Sequence, residues 1–206
     1  MKKWLLPLII TIVVAFFLYS WLKGINNTAV TLNENISEAW GNVETSYQRR
    51  NDLIDNLVKT VKGAADFEKS TLEAVVNARA KATSVTIDPS NVTPEQLAQF
   101  NQAQGGLSSA LSRLLVTVEK YPELKANQNF LKLQDELAST ENQILTARTR
   151  FNEAVKPYNN HIKTFPNNII TSIFGFKERA YFEAEKGAEK APEVNFDFGD
   201  SAEAKK

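Results

Sequence analysis

Leu137, Glu141, Ile144, Arg148, Phe151, Val155, Tyr158 and Ile162 follow one another at alternating steps of four and three residues. That is the period of a single face of an α-helix. A face so largely apolar needs other helices to cover it, and the same period supplies them. It runs through Ile36, Trp40, Val43, Tyr47, Arg50, Ile54, Leu57, Val61, Ala64 and Glu68, slips in phase, and continues over Leu72, Val75, Val76 and Arg79. It returns at Leu97, Phe100, Leu107, Leu111, Leu114, Val118 and Tyr121, with Gln104 filling the one polar step. The pattern predicts an all-α chain: an up-and-down bundle of three long helices, plus a shorter fourth.

Breaks between the periodic stretches set the element boundaries. A first helix from Leu32 to Ala82 would be roughly 75 Å long, so it should bend or break, and Gly63 is the cheapest place. It ends at the turn-rich segment TSVTIDPSNV. Thr93-Pro94-Glu95-Gln96 carries a helix start: a threonine cap, a proline where no N–H is needed, and a glutamine completing a capping box. Pro122 disfavours helical geometry at Tyr121, so YPELKAN reads as a turn. Pro94, Gly105-Gly106 and Pro122 interrupt the chain too often for one coiled-coil rod. After Thr164-Phe165-Pro166-Asn167, the cluster Ile169, Ile170, Ile173, Phe174 and Phe176 has helical spacing. Lys177 to Lys186 is expected as the short fourth helix, burying Tyr181 and Phe182.

Ahead of all this, Trp4 to Leu22 is an uncharged run long enough to cross the roughly 30 Å of a bilayer's hydrocarbon. Aromatic Trp4, Tyr19 and Trp21 lie near its ends, and Lys2, Lys3 and Lys23 bracket it. This is the pattern of a transmembrane helix with interfacial anchors. The following YSWLKG lacks a small-x-small cleavage site, so the run reads as an uncleaved anchor and the bilayer as the first partner. The excess of positive charge at the amino end places that end in the cytoplasm and the bundle outside it. The expected organisation is an anchor at 1–25, a short connection at 26–31, a helical bundle at 32–186, and a tail at 187–206. In that tail, PEVNFDF should lie extended along the bundle and GDSAEAKK should be disordered.

The 24 basic and 24 acidic residues cancel and are well mixed, leaving no basic stripe for nucleic acid. There is no cysteine, so disulfides, thiolate metal sites and lipidated cysteines are excluded. The single histidine, His161, lies near the end of the third long helix, where a helix-end position favoured by the dipole explains it. No glycine-rich phosphate loop is present. No catalytic residues, cofactor or metal are expected, and the chain reads as a non-enzyme.

Several segments, in order, resemble the LemA family of bacterial membrane proteins. They are YQRRNDLIDNLVKTVKG at 47–63, FEKSTLEAVVNAR at 67–79, EKYPELKAN at 119–127 and LQDELASTENQILTARTRFNEAV at 133–155, followed by FGFKERAYFE and PEVNF. The resemblance implies a membrane-anchored helical bundle in the bacterial envelope and implies no reaction. The expected function is therefore a non-catalytic, single-pass inner-membrane protein with its bundle on the periplasmic side. There it would self-assemble or scaffold other envelope proteins, with Trp40, Tyr47 and the 169–176 cluster as candidate contact surfaces. The alternative is a sensor or ligand-binding module that uses a polar site between helices.

Five charges occupy seam positions: Arg50, Glu68, Arg79, Glu141 and Arg148. Their expected role is structural, a mutually neutralising network that fixes helix register. Levels counted along an up-down-up path place Glu68, Arg79, Glu141 and Arg148 in one buried cluster with a bidentate contact, far from the membrane. Arg50 would meet Glu119 or Glu123 instead. Loss of Arg148 would then cost about 3–5 kcal/mol.

Overall fold

The structure, a computed structural model, describes residues 5–63 and 67–183. The tail expected at 187–206 lies outside the described residues. The helices are α1 (Leu5–Lys62), α2 (Lys69–Ser84), α3 (Pro94–Val118), α4 (Pro122–Lys125), α5 (Gln128–Lys163) and α6 (Asn167–Ile173), with a 3-10 turn at Pro89–Asn91. The described residues are mostly helical and contain no strand.

Chain directions follow from who meets whom. Trp40 packs on Phe151 and Arg50 on Glu141, so α1 and α5 are antiparallel. Tyr47 packs on Phe100 and Arg50 meets Gln104, so α3 runs parallel to α1. Gln104 reaches Ala82 at the end of α2, which therefore descends between them. The result is an up-down-up-down bundle of three long helices, α1, α3 and α5, and one shorter helix, α2. The all-α class stands, but the shorter helix is α2 and not the segment after Lys163.

Two details of the expected organisation change. Residues 26–31 are not a connection: α1 passes through them unbroken, and Ile25 and Ala29 are already buried. Carbonyl-to-amide bonding continues because nothing in NNTAVT stops a helix already propagating from both sides. At Gly63 the first helix does break, and the chain then reverses, so that Arg79 of α2 comes back to Asp55 of α1. What reads as one bent helix in the sequence is a hairpin. The capping box at the start of α3 forms as expected, with Thr93 Oγ1 accepting from Gln96 N at 3.3 Å and Gln96 Oε1 from Thr93 N at 3.1 Å.

The second correction lies at 177–183, which is not helical. Helix α6 ends in a turn at Gly175, whose φ of +79° suits glycine, with Phe176 N donating to the Thr171 carbonyl and Gly175 N to that of Ser172. The chain then runs back along α5 as an extended strap. Asn159 receives Arg179 N and donates to the Arg179 carbonyl, both at 2.9 Å. Asn152 does the same for Phe182, at 2.8 and 2.9 Å. The two asparagines are seven residues apart on a helix, roughly 10.5 Å. Residues 179 and 182 are three apart in extended chain, roughly 10 Å. The spacings match, so two carboxamides hold the strap as a neighbouring strand would. A helix here would need those backbone groups for itself.

The strap seals the core. Phe182 stacks on Trp40 at 6.0 Å and meets Phe151 edge-on at 5.3 Å, while Tyr181 stays exposed. Trp40 and Tyr47 are only 3% and 5% exposed, so they are core and not contact surfaces. Asn159→Ala should lower stability by about 2 kcal/mol, as expected for two lost hydrogen bonds to buried backbone. Urea unfolding measures the loss, and hydrogen exchange should quicken at Arg179 and Phe182. Unchanged stability and protection would mean that the clamps contribute nothing.

Candidate functional site

The bundle holds two apolar cores. The one nearer the anchor contains Trp40, Phe100, Phe151, Tyr158 and Phe182; the far one contains Leu57, Val61, Val75, Leu114 and Phe130. Between them lies a polar layer to which all four bundle helices contribute. Arg50 of α1 is 2% exposed. Its Nη1 donates to Glu141 Oε1 of α5 at 3.0 Å, and its Nη2 donates to Gln104 Oε1 of α3. Gln104 Nε2 donates in turn to the Ala82 carbonyl of α2 at 3.5 Å. That carbonyl belongs to the last turn of α2, where no further turn supplies a helical N–H. The polar step at Gln104 thus has a clear cause, since it joins a buried cation to a helix end.

Glu141 is half exposed, with 49% of its side chain in water. The Arg50 guanidinium also lies over the Tyr47 ring at 4.9 Å. Burial pushes the Tyr47 hydroxyl above its ordinary pKa of 10.0, and the Arg148 and Arg50 cations only partly oppose it. Tyr47 is therefore a neutral hydrogen-bonding group at physiological pH. An open cleft of about 810 Å³ borders this layer, lined among others by Tyr47, Arg50, Gln104, Ser108, Glu141 and Arg148.

Of the five seam charges, only Arg50 and Glu141 pair with each other. Glu68 is exposed at the start of α2 and accepts from Ser70 Oγ. Arg79 reaches Asp55 at 3.4 Å, a contact with about a third of each side chain in water. The Lys59 ammonium, and more weakly Arg79, hold the Asp55 carboxyl below its ordinary range. Arg148 is half-buried, sits over the Phe182 ring at 4.6 Å and donates to the Glu183 carbonyl at 3.2 Å. The expected cluster of Glu68, Arg79, Glu141 and Arg148 does not form, and there is no bidentate contact between them. Nor does Arg50 meet Glu119, which pairs with Lys125, or Glu123, which is exposed. The reason is the reversal at Gly63, which inserts an extra pass of the bundle and shifts every level counted beyond it.

Sequence reasoning missed Arg179, which is 6% exposed and, among the described residues, bound by no carboxylate. It donates to Asn91 Oδ1 at 3.2 Å, to Asn33 Oδ1 at 3.1 Å and to the Ser90 carbonyl, and lies over the Tyr158 ring at 5.3 Å. The nearby cation contributes to lowering the Asp88 carboxyl, after the Ser90 hydrogen bonds. Arg179 ties the strap to α1, to α5 and to the turn before α3. Its segment reads as a helix in the sequence, which hides the extended run that buries it. The asparagines at 152 and 159, one face of α5 apart by two turns, are the signal that could have revealed the strap.

His161 is placed where expected, at the end of α5. Its Nε2 donates to the Ile25 carbonyl at 2.9 Å, which leaves Nδ1 to accept from Asn167 at 3.4 Å. Among the described residues no group of three or more metal-ligating side chains gathers. In the cleft, Arg50 and Arg148 stand against Glu141 and Glu183, so its charges cancel and a ligand there would be held by hydrogen bonds.

An apolar amino-terminal helix running into a bundle with a polar middle layer defines a membrane-associated helical-bundle protein. The LemA family profile matches residues 39–196, and the chain belongs to the LemA family. It is 31% identical over 183 residues to magnetosome protein MamQ 2 of Paramagnetospirillum magneticum, covering 81% of this chain and 67% of that one. Identity to MamQ of Magnetospirillum gryphiswaldense is 29% over the same shares. Protein LemA of Metamycoplasma hominis is 24% identical over 177 residues, 85% of this chain and 75% of its own.

Because Glu141 is half in water, its coupling to Arg50 in a double-mutant cycle should be below about 1 kcal/mol. Arg50→Ala alone should cost about 2–4 kcal/mol, through the cavity and the stranded Gln104. Arg148→Ala should cost only about 1 kcal/mol, the worth of its contact with Phe182. Denaturant unfolding of the variants checks all three, and a cost of Arg148→Ala at or above that of Arg50→Ala would reverse the assignment.

Proposed function

We propose that this chain acts without catalysis as a single-pass protein of the bacterial inner membrane. Its bundle stands on the periplasmic side and assembles with itself or holds other envelope proteins. The observation that carries the reading is the continuity of α1. From the apolar span to the tip of the bundle there is no flexible linker, only about 40 residues of helix, roughly 60 Å. Such a tether fixes the height and tilt of the bundle over the bilayer. Presenting a surface to neighbours requires that constraint, whereas a reaction on a soluble substrate does not. The names of the relatives state no reaction, and the orientation rests on the lysines at the amino end.

Crosslinking in intact membranes should give species above the monomer. A strictly monomeric pattern with no co-purifying protein would refute the assembly. Protease added to outer-membrane-permeabilised cells should digest the bundle, and survival until the inner membrane is broken would reverse the orientation.

The cleft beside Arg50 and Arg148 supports a second reading, a ligand-binding module, because among the described residues no carboxylate takes up Arg148. Native mass spectrometry of protein released from its own membranes should then show a small polar adduct that Arg148→Ala loses. An adduct-free wild-type protein would remove this reading.

A further inference from the structure

Outside the anchor, four exposed large apolar side chains gather at one place. Phe165 is 76% exposed, Ile169 56%, Ile173 79% and Phe174 56%, all on α6 or at its two ends. The opposite face of α6 is fixed to the bundle: Ile170 and Thr171 are buried, and Thr171 Oγ1 donates to the Ile162 carbonyl at 3.2 Å. The exposed face is therefore held outward by packing behind it and is not a frayed end. Four large apolar side chains in so short a segment call for a covering surface.

The position of α6 along α1 identifies that surface. Residues 5–24 of α1 are all exposed, and Ile25 is the first buried one. The Ile25 carbonyl is the one His161 binds, and His161 also contacts Asn167, the first residue of α6. Helix α6 packs on both α1 and α5 there. Leu22, the last residue of the apolar span, is three residues from Ile25, roughly 4.5 Å along the axis. The headgroup layer on each side of the hydrocarbon is about 5–8 Å thick. A helix level with Ile25 thus lies within the headgroups of the bilayer that the anchor crosses. Lys23, on α1, and Lys177, just past α6, are exposed at the same end and suit lipid phosphates.

We propose that α6, with Phe165 and Phe174, is an interfacial foot that inserts its apolar face into the membrane surface beside the anchor. The bundle is then held by two contacts with the bilayer, one spanning and one lying in the interface. Two contacts fix rotation about the anchor as well as height, which a single helix cannot do. The inference rests on the anchor spanning the membrane, and it holds whichever side the bundle occupies.

The chain has no cysteine, so single-cysteine variants can carry an environment-sensitive fluorophore. Ile173→Cys and Phe174→Cys report on the foot, Phe17→Cys on the anchor, and Val116→Cys on the far end of the bundle. All are exposed positions, and circular dichroism confirms that each variant keeps its helix content. The full chain is reconstituted into phosphatidylcholine and phosphatidylglycerol vesicles containing a lipid with a nitroxide near the top of its acyl chain. Probes at 173 and 174 should be quenched several-fold more than the probe at 116. If 17 is quenched while 173 and 174 match 116, the foot is wrong and the anchor stands. If none is quenched, the anchor reading falls and the foot with it. Probes at 173 and 174 that escape the lipid quencher yet become water-exposed as protein is diluted in the vesicles would mean that a second copy covers the face, which also overturns the proposal.

Discussion

Antiparallel packing of α1 against α5 is the contact on which the remainder of the bundle is built. The two helices stay together from the Ile25–His161 hydrogen bond, through Trp40 and Phe151, to the ion pair of Arg50 with Glu141. Because α1 comes rigidly out of the apolar span, α5 inherits a fixed relation to the membrane. Everything attached to the end of α5, including α6 and the strap, inherits it too. The α2–α3 hairpin is the added half. It is shorter and is joined to the first half through both cores and the polar layer.

The polar layer divides that structure without weakening it. An apolar seam alone tolerates sliding by a turn, since a leucine meets its neighbour's successor almost as well. A buried guanidinium does not, because it needs acceptors at one level. Arg50 finds them on two helices, and Gln104 passes the constraint to the end of a third. Leaving Glu141 half in water avoids most of the desolvation that makes fully buried ion pairs costly. Arg179 solves the same problem differently, with amide and carbonyl oxygens and an aromatic face in place of a carboxylate.

At the membrane end the chain crowds its unusual features together. The anchor exit, the single histidine, the outward apolar face of α6 and the start of the strap all lie within a few turns of one another. The strap leads away from that place. It leaves α6 at Gly175, is clamped by two asparagines, and ends by placing Phe182 against Trp40 and beneath Arg148 at the edge of the cleft.

The all-α class, the apolar amino-terminal helix, the start of α3 at Thr93 and the break at Gly63 were legible in the amino-acid order because each depends on neighbours along the chain. Periodicity needs only the helix itself, a capping box only four residues, a membrane span only length and lack of charge. The level at which Arg50, Arg79 and Glu141 sit is not of that kind. It depends on whether the chain bends or turns back after Gly63, and a single reversal moves every later residue to a new partner. The strap was hidden for a related reason. Its sequence reads as a helix, and its extended conformation is decided by hydrogen bonds to Asn152 and Asn159 that only the folded bundle brings alongside.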